Sequence, residues 1–220
     1  MMNYPIVPYW FYGYNSFLEM IFFVVTLLVG AYAIHIYNLS GQKQSKLFGF
    51  SFLMVSSSYF IQSFLNFAAS YSMSDGCSMQ TMAAARGFNI LGVYAHMILF
   101  LAGLVTIVYM TLRRKDAKMY GVMLTAVMLV LLLSSNKLYF FYVISSMLLI
   151  YISFYYLRNY LKNRKTNSLV VFIAFLFLLF GKIHFIFSID HGAFYVAGHI
   201  LELVAYSLIL INLIAVTRRQ

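Results

Sequence analysis

The chain has 220 residues, 63% of them hydrophobic and only 9% charged, and its mean hydropathy is +0.86. A soluble domain of this length needs far more polar surface, so lipid is the solvent for most of the molecule, and soluble folds and intrinsic disorder are excluded. Fifteen basic residues against five acidic ones give a formal charge of +10, but they sit in short clusters between apolar runs, which excludes a folded nucleic-acid-binding module and points to anchoring against anionic lipid.

The N-terminal stretch MMNYPIVPYWFYGYN has no basic n-region and no small-residue cleavage site, and reads as a mature end rather than a signal peptide. Seven apolar runs follow, at approximately 16–38, 46–68, 88–112, 118–134, 138–157, 168–187 and 192–215. Each is long enough to cross about 30 Å of hydrocarbon as a helix. The fourth is the shortest, yet YGVMLTAVMLVLLLSS is too apolar for a loop, and Lys137 after it can snorkel to an interface. Runs such as LVVFIAFLFLLF lack the polar-apolar alternation of a membrane barrel. The expected fold is therefore all-α, a polytopic seven-transmembrane-helix bundle forming one domain over 1–220.

In the first span Glu19 follows Ser16 by three residues, the spacing of a capping box, and His35 falls near the far end as an interface residue. Gln62 and Asn66 stand toward the end of the second span. The stretch 69–87, AASYSMSDGCSMQTMAAAR, reads as an external loop. Alternatives are a lid over a pocket, or soft-metal capture by Met73, Cys77, Met79 and Met82, whose spacing is irregular. Cys77 is the single cysteine, which excludes an internal disulfide. His96 lies about eight residues into the third span and His199 about eight into the seventh, both about 12 Å below one boundary. Lys182 and His184 come late in the sixth span; Lys182 either snorkels or pairs with Glu202 or Asp190. Asp190 reads as the N-cap of the seventh span, with His191 in its first turn. Tyr195, His199, Glu202 and Tyr206 then form one stripe at helical spacing.

Orientation follows from the basic residues. One side of the seven spans holds Lys43, Lys46, Arg113, Arg114, Lys115, Lys118, Arg158, Lys162, Arg164, Lys165, Arg218 and Arg219, and the other only Arg86, Lys137 and Lys182. Cytoplasmic loops carry the excess, so the N-terminus is expected outside and the C-terminus in the cytoplasm of a multi-pass cell-membrane protein. Aligning spans two and three with six and seven superposes Gln62 on His184 and His96 on His199. That suggests parallel repeats over 16–112 and 138–215, joined by a linker helix at 118–134.

Ionisable residues deep in a span indicate function, because hydrocarbon cannot solvate them. His96 and His199, at matching depth on two helices, meet the requirement for axial ligation of a b-type haem. His96, His184, His199 and Glu202 could instead hold a transition metal with an open position. Tyr195, Tyr206, Gln62 and Lys182 complete the polar site. The leading expectation is thus an outer-leaflet His/Glu site binding haem or a metal for electron transfer or sensing. The alternatives are a non-enzymatic ligand sensor, small transporter or membrane assembly module, and a metal-dependent intramembrane hydrolase. No catalytic residue is assigned. Expected partners are membrane lipids with a small ligand or an electron-transfer protein, not nucleic acid, and the sequence is compatible with homo- or hetero-oligomers.

Size, span number and orientation resemble those of microbial rhodopsins. The resemblance implies a retinal-carrying lysine in the last helix, but FYVAGHILELVAYSLILINL has none and the third span has no acid, so no retinal Schiff base is expected. Alkaline ceramidase and adiponectin-receptor hydrolases are also similar in span number, but here the last-span histidines, His191 and His199, are eight apart and no deep aspartate is present. NSFLEMIFFVVTLLVGAYAIHIYNLSGQKQSKLFGFSFLMVSSSYFIQ with GHILELVAY resembles small multi-span archaeal membrane proteins of unknown function, which implies no activity.

Overall fold

Backbone amides and carbonyls in hydrocarbon must be paired within the chain, and uninterrupted apolar runs can do this only as helix. The computed structural model describes residues 12–74, 79–112, 116–188 and 191–217. Its elements are α1 (Tyr12–Ser40), α2 (Lys43–Ser74), α3 (Met79–Thr111), α4 (Ala117–Leu133), α5 (Lys137–Asn163), α6 (Thr166–Phe187) and α7 (Gly192–Thr217). Six of these helices are long and apolar enough to cross a membrane; α4, with 17 residues, is the short one. The molecule is an all-α, multi-pass membrane bundle.

The helix ends are tied by local chemistry. Gly41, at a φ of 67°, donates its N–H to the Tyr37 carbonyl and closes α1. The Asp116 side chain accepts from the Lys118 amide at the start of α4, and Asn136 accepts from the Tyr139 amide at the start of α5. Lys137 does not simply snorkel: its Nζ donates to the carbonyls of Leu132 and Ser134, 3.1 Å each, and caps the end of α4.

Two expectations for the polar end change. The stretch 69–87 is not a loop where it is described, because α2 continues to Ser74 and α3 begins at Met79. Cys77 and the side chains of Met73 and Met79 lie outside the described residues, as does Asp190, the expected cap of α7. Ser16 and Glu19 form no capping box, since α1 starts a turn earlier at Tyr12 and Glu19 is buried inside the bundle.

Helix α2 packs against α1 and α3, and α6 packs against α5 and α7, while narrower α1–α7 and α3–α5 contacts close the ring; α4 packs on α3 and α5. Small residues permit the closest approaches. A Cβ on Gly49 would stand 2.9 Å from the Gly30 carbonyl oxygen, and one on Gly103 would stand 2.9 Å from that of Ser51. In the half of the bundle toward the basic connections the interior is mainly apolar, with Phe52, Leu104, Ile107, Leu149, Ile152 and Phe175 among its buried side chains and uncharged polar residues such as Ser51, Thr106, Ser153 and Asn212 between them. The opposite half, where α1, α3, α5 and α7 begin, holds the buried ionisable residues Glu19, His96, Lys182, His199 and Glu202.

Candidate ligand-binding cavity

The site starts from a glycine contact between α6 and α7. A Cβ on Gly181 would meet the Gly198 carbonyl oxygen at 3.2 Å and the Glu202 side chain at 3.3 Å. This spacing lets the next residue, Lys182, reach Glu202: Nζ lies 2.5 Å from Oε1, and both side chains are almost fully buried. Tyr59 on α2 donates its hydroxyl to Glu202 Oε2 at 3.0 Å and shares a second 3.0 Å hydrogen bond with the Tyr206 hydroxyl. The ammonium also lies over the rings of Phe100, Phe185 and Phe141, at 4.1, 5.3 and 5.5 Å from their centroids. A buried cation thus has one anion and three aromatic faces around it.

A second polar centre is formed by Glu19. Its Oε1 accepts from Asn15 Nδ2 and Gln62 Nε2, both at 3.0 Å, and its Oε2 accepts from Asn66 Nδ2 at 2.9 Å. Three amide donors suit an ionised, acceptor-only carboxyl group. The Asn15 amide joins this centre to α7, because its Oδ1 accepts from the Tyr195 hydroxyl at 2.8 Å and lies 2.7 Å from His199 Nε2. With the Asn15 amide nitrogen committed to Glu19, His199 Nε2 is the donor in that contact. His96 on α3 packs against Tyr59, Phe100 and Phe141. Among the described residues the buried Nδ1 of His96 and Oε1 of Gln62 have no hydrogen-bond partner.

Between these groups lies a cavity of about 290 Å³, walled by residues of α1, α2, α3, α5, α6 and α7. Of the residues singled out in the sequence, His96, His199, Gln62, Lys182, Tyr195 and Glu202 line it, and Tyr206 stands behind its wall through Tyr59. His184 is elsewhere: its Nδ1 lies 2.7 Å from the Phe180 carbonyl and its ring packs on Phe194. His35 and His191 are exposed. Asn15 and Tyr59 were not singled out from sequence. The available signals were the four-residue step from Asn15 to Glu19 and the Tyr59–Gln62–Asn66 stripe, which mirrors the stripe on α7.

The haem and metal expectations are corrected by this geometry. Among the described residues there is no group of three or more His, Cys, Asp or Glu side chains that could hold a metal ion. Glu202 is engaged by Lys182 and Tyr59, His199 by Asn15, and His184 is turned away. The surroundings of His96 and His199 are taken up by aromatic rings and a cation. The Lys182 ammonium lies against Phe100 and Phe141, which pack on His96, and against Phe185, which packs on His199. The ligand set for electron transfer or metal-assisted hydrolysis is therefore not assembled.

Comparison with protein-family models, with characterised proteins and with solved structures finds no match to this chain. The site has to be read from its own chemistry. It offers a cavity close to the lower end of typical small-molecule pockets, with polar groups converging from six helices and aromatic walls between them.

Proposed function

We propose that the chain is a non-enzymatic ligand sensor of the cell membrane, with its N-terminus outside and its C-terminus in the cytoplasm, binding a small ligand in the polar cavity of its outer half. The observation that carries this reading is the cavity itself. Six helices contribute buried polar side chains to one space that their mutual hydrogen bonds do not fill. Sensing is favoured over transport because the buried ionisable side chains, Glu19, His96, Lys182, His199 and Glu202, gather around this one cavity, while the buried polar residues toward the cytoplasmic side, such as Thr106, Ser153 and Asn212, are uncharged. A ligand that binds groups from α1, α2, α3 and α7 together can shift how those helices pack, which is the differential contact a sensor requires. The twelve-to-three distribution of basic residues supports the orientation. The pairing of α2 with α1 and α3, and of α6 with α5 and α7, with α4 outside both sets, supports a three plus one plus three plan.

Two measurements test the reading. Asn66→Cys in a Cys77→Ser background should react with a membrane-impermeant thiol reagent on intact cells, because Asn66 lines the cavity. A panel of small ammonium, carboxylate and neutral polar compounds should contain at least one that raises the melting temperature of the purified protein saturably, and reaction of the introduced thiol should abolish that rise. A cavity cysteine that stays unreactive from both faces, with no stabilising compound, would show a sealed polar core and return the protein to the assembly-module class.

A further inference from the structure

A second, smaller cavity of about 190 Å³ opens between α3 and α5. Its walls are Ile90, Val93, Tyr94, Met97 and Leu138, with Asn136 and Lys137 beside them. Neither of those polar residues presents its head group to it as a free partner. Asn136 Oδ1 accepts from the Tyr139 amide, and Lys137 Nζ is bound to the α4 carbonyl of Leu132 and to that of Ser134 just beyond it. The crevice is therefore apolar, and it adjoins the polar cavity, with Val93, Met97 and Leu138 lining both. It lies where α3 and α5 make only a narrow contact, and Ile90 and Leu91 at this level of α3 are exposed toward lipid.

The polar cavity distinguishes between head groups. Lys182 is already committed to Glu202 and to the faces of three aromatic rings. An anion would have to displace Glu202 and approach Glu19 as well. A cation meets the opposite situation. Glu19 carries three amide donors and no basic partner among the described residues, so an ammonium would supply the counter-charge a carboxylate in a low-dielectric site lacks. Its three N–H donors match three acceptors among the cavity residues: the Glu19 carboxylate, the unpartnered Gln62 Oε1, and the unpartnered Nδ1 of His96, an acceptor in the tautomer that carries its proton on Nε2.

We infer that the ligand is a single-chain amphiphilic amine, its ammonium head held by Glu19, Gln62 and His96 and its hydrocarbon tail lying in the α3–α5 crevice, so that it enters sideways from the outer leaflet. This rests on the sensor reading above and gives it a ligand class.

The test uses the full chain in lipid nanodiscs and a twelve-carbon primary amine carrying a photoreactive diazirine partway along its chain. Labelling should saturate, map to α3 near Val93–Met97 or to the first turn of α5, and be displaced by dodecylamine but not by dodecanoate or ethylamine. Glu19→Gln should lower labelling at least tenfold while keeping a monodisperse size-exclusion profile. Should that variant not fold, Val93→Trp, which sets an indole at a partly buried position lining both cavities, should abolish labelling in its place. Equal labelling by the carboxylate-headed analogue, or displacement by ethylamine as effective as by dodecylamine, overturns the proposal while leaving a small-ligand sensor intact. If no probe labels saturably and none of the panel compounds stabilises the protein, both readings fail together.

Discussion

Lys182 can be buried because everything it needs lies within one side-chain length: a carboxylate at 2.5 Å and three ring faces. A pair of this kind contributes little against an apolar replacement of both partners, but removing one partner leaves a buried charge alone. Lys182→Met should therefore destabilise the protein by about 3 kcal/mol in detergent unfolding, whereas Lys182→Met combined with Glu202→Met should recover most of the loss. Additive losses in the double variant would show that the two residues act separately. Glu19 supports a second prediction. Glu19→Leu deprives three amide donors of their acceptor and should cost about 2 kcal/mol or more, with Glu19→Gln retaining part of the stability because one amide oxygen can still accept. Equal stability of the two variants would mean that water replaces the carboxylate fully. At this scale the sequence made the rare charges conspicuous, because an acid or a lysine in an apolar run has no inexpensive place. Their partners were less visible. Asn15 and Tyr59 are ordinary residues in a helix until the bundle brings Asn15 to His199, and Tyr59 to Glu202 across 143 positions of chain.

The helices themselves were legible from hydrophobic length, down to the shortness of the fourth. The boundaries were misread where polarity and helicity part company: AASYSMS is polar enough to suggest a loop, yet α2 runs through it to Ser74. Glycines were the other omission. Periodicity in an all-apolar helix does not reveal which face meets a neighbour, so Gly30, Gly49, Gly103, Gly181 and Gly198 gave no sign of marking close approaches. Their role yields a prediction about α6 and α7. Gly181→Val places branched carbon against the Gly198 carbonyl and the Glu202 side chain, and should destabilise by about 1 to 3 kcal/mol through overpacking. Gly121→Val on α4 is the control, since a Cβ there meets nothing within 4 Å. A Gly181→Val variant as stable as Gly121→Val would show that α6 and α7 are not in close contact at the cavity.

For the whole molecule, the uneven charge does two jobs: basic residues collect at one end and the buried acids at the other. The pattern gives an orientation only if α4 crosses the membrane, because an even number of crossings would put both termini on one side. At about 1.5 Å per residue its 17 residues span about 26 Å, somewhat less than the usual hydrocarbon thickness. Its surroundings favour crossing all the same. Leu132 and Leu133 remain exposed and apolar, Asp116 caps one end, Lys137 caps the other, the Tyr120 hydroxyl bonds Thr106 on α3 at 3.1 Å, and α4 packs on α5 as well as α3. Single cysteines in a Cys77→Ser background resolve the matter. Gln42→Cys, between α1 and α2, and Asn163→Cys, at the end of α5, should react with an impermeant reagent only after permeabilisation, and Ser135→Cys, between α4 and α5, should react on intact cells. If α4 instead folds back without crossing, Ser135→Cys and Gln42→Cys become accessible from the same face and Asn163→Cys from the opposite one. That pattern would separate the N-terminal three helices from the C-terminal three in orientation, turning the parallel repeat into an inverted one. It would also be incompatible with a single cavity built from Glu19, His96, Lys182 and His199 at one depth, so the labelling pattern bears on the site as directly as on the topology.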